Sequence, residues 1–194
     1  RTAIASAHRF TQKTLLVTGS AAGRCLAHSL AFSSEGAHLI LTDINEAGLA
    51  ETRALIEDLG SSAEIYRCDM ASEADIEALR AAVSTGHDRL DVLINNAGLH
   101  AGEIARGFAG LSQEKWQHFL GVNSLGPLLL AEALRPLLAA AKGLVINKSS
   151  MASYNPATAY GITKALLNVF THSMATQYAT DEIRCVAIAP GLME

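Results

Sequence analysis

Short apolar runs alternate with amphipathic stretches from one end of this chain to the other. The runs at 14–18, 38–41, 90–94 and 143–147 are nearly continuous in apolar residues, as strands buried on both faces are. Further candidates stand at 64–67 and 183–189. Between them lie helical patterns at about 24–35, 45–59, 72–84, 112–140 and 159–178. Ser72 and Ser112 stand where N-caps belong, and Gly36 and Gly60 where helices stop. Gly126 and Pro127 fall inside the long helical stretch and predict a kink there. Strand–helix alternation requires crossovers that return to the same edge of a sheet, so the strands run parallel with helices on both faces. The expectation is an α/β fold, a Rossmann-like doubly wound parallel sheet in three αβα layers. It forms one domain over residues 1–194.

Composition removes several classes of function. Of 194 residues, 49% are hydrophobic and 18% charged, which suits a packed core rather than disorder. The net charge is −4 and no basic stripe occurs, which argues against nucleic acid as a partner. No apolar run is long enough for a bilayer, and the first residues lack a signal-peptide pattern, so no membrane association is expected. Cys25, Cys68 and Cys185 are scattered and odd in number, which predicts free thiols in a reducing, cytoplasmic compartment. No histidine or cysteine cluster has zinc spacing, and no metal is expected. The chain opens on Arg1 and stops at Glu194 just after Pro190-Gly191, so residues are expected beyond both ends.

In doubly wound sheets ligands sit beyond the carboxyl ends of the strands. Gly19, Asp43, Asp69, Asn95, Ser150 and Gly191 all fall at such ends. Gly19-Ser20-Ala21-Ala22-Gly23 joins the first strand to a helix, and so small a turn lets a pyrophosphate reach the helix N-terminus. Asp43 follows Gly19 by 24 residues, a spacing that suits the ribose hydroxyls of NAD and repels a 2′-phosphate. Its other reading is a cap for the next helix. Asp69 is placed to accept from an adenine amino group, or to cap a loop. Asn95-Asn96-Ala97-Gly98 suits either a flat adenosine or a polar turn. Tyr160 and Lys164 stand four apart and share one helix face. A nearby ammonium favours the phenolate, so the pair can give and take a proton, although two surface residues have the same spacing. Ser150 is a candidate donor to a substrate oxygen, and Asn123 a polar residue near the Gly126-Pro127 irregularity. Trp116, Phe119 and Met151 fit packing roles.

Taken in order, these pieces resemble the short-chain dehydrogenase/reductase family in its single-domain branch. The likeness runs from about residue 14 to 192 through Thr18–Gly23, Asp43, Asp69, Asn95–Gly98, Asn123, Ser149-Ser150, Tyr160-Gly161-Ile162-Thr163-Lys164 and Pro190-Gly191. The resemblance implies NAD(H)-dependent interconversion of a secondary alcohol and a ketone, with NAD(H) favoured over NADP(H). It implies Tyr160 as general acid/base, and Lys164 lowering the tyrosine pKa while holding the nicotinamide ribose. Ser150 would orient the substrate oxygen, and Asn123 would support a proton relay. Gly19, Ala22, Gly23, Asp43, Asp69, Asn95, Ala97, Gly98, Pro190 and Gly191 would line the cofactor. The substrate is a small-molecule alcohol or ketone, and the assembly a homodimer or homotetramer. A substrate lid and a last strand would follow Glu194. Three departures stand out. Arg24-Cys25 replaces an apolar residue and a glycine. Ser150 precedes Tyr160 by only 10 residues, which leaves Ser149 and Ser153 as alternatives. Lys148 puts a charge in a strand. Two competing readings use the same residues: a cofactor-binding sensor without turnover, which the intact Tyr160 and Lys164 oppose, and a sugar-nucleotide epimerase or dehydratase, which the short chain and Asn95–Gly98 oppose.

Overall fold

The computed structural model describes residues 8–21 and 24–191, so the expectations for Ala22 and Gly23, and for the side chains of Arg24 and Cys25, lie outside the described residues. Six strands form one sheet: β1 Thr14–Thr18, β2 His38–Asp43, β3 Ala63–Arg67, β4 Val92–Asn95, β5 Leu144–Lys148 and β6 Arg184–Ile188. Their order is β3-β2-β1-β4-β5-β6, and every pairing is parallel. The sheet is therefore doubly wound, with its order reversing between β1 and β4.

Alternation of side chains along each strand divides the core into two layers. Leu15, Val17, Leu39, Leu41, Val92 and Ile94 face one layer, closed by α1 (Arg24–Ser34) and α2 (Glu46–Asp58) through Leu30, Leu49 and Ile56. Leu16, Ile40, Leu93 and Val145 face the other. That side is closed by α3 (Glu73–Gly86) and α7 (Ala159–Gln177), with α5 (Gly126–Ala133) and α6 (Arg135–Ala141) between them in sequence. Ser72 and Ser112 cap their helices as expected, accepting from the backbone N–H of Asp75 and Lys115. No single helix among the described residues is long and apolar enough to cross a membrane.

The long helical stretch is broken twice. After α4 (Gln113–Leu120) a π-helical turn spans Gly121–Leu125, and α5 begins at Gly126. Pro127 has no N–H to give to the carbonyl four residues earlier, that of Asn123, so the regular ladder fails at this point. A second, sharper break of 62° separates residue 133 from 135, ahead of Pro136. The sequence located the first irregularity and not the second. Arg135 holds the second corner: its Nε donates to Asp181 at 2.6 Å and its guanidinium lies 4.6 Å from the Tyr178 ring centroid.

Gly126 is the tightest point of this arrangement. A Cβ on it would sit 2.3 Å from the Met70 carbonyl oxygen, where α5 passes over the loop after β3. A backbone atom cannot swing aside as a side chain can. Gly126→Ala is therefore expected to destabilise the protein by about 1–3 kcal/mol, read as a lower urea midpoint with unchanged slope.

Candidate active site

A cavity of about 710 Å³ opens beyond the carboxyl ends of β1, β2, β3, β4 and β5, within the size range of ligand sites. The turn after β1 forms its floor. Gly19 has φ +71°, a conformation that favours glycine, and a Cβ there would lie 2.8 Å from the Ala97 Cα. The turn is pinned by its neighbours. Gly19 and Ser20 donate their N–H groups to the Thr42 carbonyl, and the buried Ser20 hydroxyl donates to the Val17 carbonyl. Thr52 on α2 donates its hydroxyl to the Ser20 carbonyl at 2.9 Å.

Asp43 reaches this turn from the end of β2. Its Oδ2 accepts from Ala21 N–H and its Oδ1 from Asn45 N–H, both at 3.0 Å. Asn45, not Asp43, caps α2. Each Asp43 oxygen keeps a lone pair for a further donor, and the carboxylate lines the cavity next to exposed Ile44. Asp69 lines the same wall, with Oδ1 accepting from Ala71 N–H.

The segment after β4 crosses the cavity. Asn96 donates its amide to the Thr18 and Gly19 carbonyls, while the Thr18 hydroxyl oxygen accepts from the N–H of Asn96 and of Ala97. Gly98 lies against two polar ends: a Cβ there would come 3.2 Å from Lys164 Nζ and 3.3 Å from Asn123 Oδ1. Asn123, fully buried in the π-helical turn, accepts from Leu99 N–H at 2.7 Å and donates to the Leu99 carbonyl and to Thr163 Oγ1. It clamps the 96–99 segment to α7.

Tyr160 and Lys164 lie one turn apart at the start of α7, and both line the cavity. Lys164 is 3% exposed, and its ammonium donates to the Lys148 carbonyl at 2.9 Å. Burial, and then repulsion from the Lys148 ammonium, push Lys164 down to about 8. Lys148 itself donates to Asn96 Oδ1 at 2.7 Å. This is the partner that a charged residue in a buried strand needs.

Several expected residues do not meet the cavity. Asn95 turns into the interior, donating to Asn147 Oδ1 and the Pro127 carbonyl, and Asn96 takes its place on the wall. Ser150 caps a short 3₁₀ turn by accepting from Ala152 N–H, while buried Ser149 lines the cavity. Ser153 is held by Asn168 and the Ser150 carbonyl. Pro190 serves through its carbonyl, which accepts from Met151 N–H, and Gly191 lies against Met151; neither lines the cavity. Met151 is 56% exposed rather than packed, whereas Phe119 is buried and Trp116 half-buried as expected. His100, His118 and Val122 on the wall carried no signal in the sequence. Lys148 did, as a charge in a strand.

Fold and site together define a member of a known family. Residues 13–194 match the short chain dehydrogenase family model, and the chain belongs to that family. An uncharacterized oxidoreductase of Bacillus subtilis is 31% identical over 191 residues, which cover 96% of this chain and 68% of that protein. The structure of NAD+-bound xylitol dehydrogenase superposes with a TM-score of 0.88 at 28% identity, covering 96% of this chain and 72% of that one. L-sorbose reductase from Gluconobacter frateurii, complexed with NADPH and L-sorbose, gives 0.88 at 29% identity, covering 95% and 71%. The protein is thus an oxidoreductase of a family that binds nicotinamide cofactors. The residues present fit such a group: the Gly19 turn, Gly98 and the Asp43 carboxylate at the end of β2 line one cavity beyond the strand ends.

Because folding lowers the Lys164 pKa, the unfolded chain binds more protons between about 8 and 10.5, and stability rises with pH across that window. Lys148→Gln removes one source of the shift. It is expected to move the Lys164 titration upward and to shallow this rise, read by NMR titration of the lysine ε-carbons and by urea midpoints from pH 8 to 10.

Proposed function

We propose that this protein interconverts a secondary alcohol and a ketone using NAD(H), with Tyr160 as the proton-transfer group. The observation that carries the reading is the buried Lys164 one helical turn from Tyr160 on the wall of a cavity whose far end holds Asp43. Gly19, Asp43, Asp69, Ala97 and Gly98 would hold the cofactor, which supplies or accepts the hydride. Tyr160 gives its hydroxyl proton to the substrate oxygen during reduction and takes it back during oxidation. Lys164 lies one helical turn from Tyr160 on the same cavity wall. Its fixed bond to the Lys148 carbonyl keeps it from swinging out of place. Of the three candidate serines, Ser149 is the one on the cavity wall, and we assign to it the hydrogen bond that orients the substrate oxygen. Asn123 acts at one remove, holding the 96–99 segment against α7.

Asp43 supports NAD(H) over NADP(H): a carboxylate already fixed by two backbone N–H groups cannot retreat from a 2′-phosphate. The family relatives include both kinds of complex, so the preference rests on this residue.

Two measurements test these assignments. Tyr160→Phe should lower kcat by roughly 10²–10⁴-fold on a ketone panel while NADH binding, followed by fluorescence titration, stays close to wild type. Full turnover by this variant would refute the assignment. Asp43→Ala should shift the ratio of NADH to NADPH dissociation constants by about tenfold or more toward NADPH, the value of one relieved like-charge contact. An unchanged ratio would place cofactor choice elsewhere.

A further inference from the structure

At the amino ends of the strands, on the opposite side of the sheet from the cavity, three side chains converge. His38 opens β2, Glu64 is the second residue of β3, and His87 directly follows α3. Their separations of 26 and 23 residues match no metal-binding spacing, so only the fold brings them together. Nε2 of His38 lies 2.8 Å from Glu64 Oε1, and Nε2 of His87 lies 2.9 Å from the same oxygen. The three ligand atoms all fall within 4.8 Å of one another. The imidazole rings are tilted by 42° with centroids 5.2 Å apart, so both aim their Nε2 at one point without stacking.

We propose that His38, Glu64 and His87 form a zinc-binding site, separate from the cofactor cavity. Two imidazole nitrogens and one carboxylate oxygen are a donor set zinc takes in three-residue sites, with a further position left to water. The side chains of His38, Glu64 and His87 are 38%, 35% and 14% exposed, which leaves an entry path and an open coordination position. Tetrahedral zinc with bonds of about 2.1 Å sets its ligands roughly 3.4 Å apart. Each Nε2–Oε1 pair therefore opens by about half an ångström as the ion replaces the shared protons.

The carboxylate is oriented as ligands usually are. Tyr66 donates its hydroxyl to Glu64 Oε2 at 2.7 Å, which fixes the plane of the group and leaves Oε1 to the histidines. No lysine or arginine forms an ion pair with Glu64 among the described residues, so nothing but the two imidazoles competes for that oxygen. His87 is anchored by its own backbone, whose N–H donates to the Val83 carbonyl. The ion would join β2, β3 and the end of α3, replacing the direct His38–Glu64 and His87–Glu64 bonds with one shared centre.

Isothermal titration of the metal-free, tag-free protein with ZnCl₂ tests this. One Zn²⁺ per chain is expected, with affinity reduced at least tenfold in His87→Gln and in His38→Gln, and reduced by about 10–100-fold in Tyr66→Phe. At a hundredfold excess over Kd, Zn²⁺ should raise the Tm of the wild type by roughly 5–10 °C and leave the His38→Gln/His87→Gln double variant unmoved. That double variant keeps Glu64 and removes only partly exposed side chains, so it tests the site even if Glu64 variants fail to fold. Absence of Zn²⁺ binding by the wild type, or equal binding by the double variant, overturns the proposal. NADH affinity is the same with and without Zn²⁺ if the two sites are independent, so failure here leaves the cofactor reading untouched.

Discussion

The Asn96 side chain holds the reversal point of the sheet together. Its amide nitrogen donates to the carbonyls of Thr18 and Gly19 at the end of β1, and its oxygen accepts from Lys148 at the end of β5. Strand ends at a switch point diverge, because the crossovers on either side leave in opposite directions. Backbone groups there would otherwise face a cavity without partners, at a cost of about 1–3 kcal/mol each. Asn96 and the Thr18 hydroxyl together satisfy three of them, the Thr18 and Gly19 carbonyls and the Ala97 N–H. Everything that the cavity presents, from the Gly19 turn to the Lys164 ammonium, is positioned relative to this junction.

A second set of polar contacts carries that order to the far side of the sheet. Asn95 bonds to Asn147, and Asn147 to Thr171 on α7, so β4, β5 and α7 are tied by a buried chain of amides and a hydroxyl. Asn123 and Ser124 add bonds from the π-helical turn to Thr163. A hydrogen bond in so dry a setting is directional where packing is not. Such bonds hold α7 at Thr163 and Lys164, beside Tyr160 on the cavity wall. The widened turn at 121–125 follows from Pro127, and it turns Asn123 toward Leu99.

Much of this was legible in the residues. Continuous apolar runs, the Gly19 turn and the capping serines place all six strands and every major helix within a few positions. Asp43, Asp69 and the Tyr160–Lys164 pair stand where strand ends and helix periodicity put them, on one cavity. What could not be read was which of two neighbours faces inward. Asn95 and Asn96 differ only in the phase of a strand end, and so do Ser149 and Ser150, and a single residue of register exchanges their roles. The bend before Pro136 was equally hidden, because one proline signal had already been spent on Pro127 in the same helical run.

Sequence alone determined the layers, the strand ends that face the ligand and the residue types gathered there, because periodicity and turn chemistry are local properties of the chain. Tertiary structure decided everything that depends on distant partners. Lys148 reads as an isolated charge until Asn96, 52 residues away, is seen to receive it. Lys164 is pushed down to about 8 by burial and by Lys148, neither of which its own helix reveals. His38, Glu64 and His87 become one cluster only when β2, β3 and α3 are laid side by side. Spacing along a chain encodes neighbours on one helix or strand, whereas the electrostatics of a buried group depend on whatever the fold brings within a few ångströms.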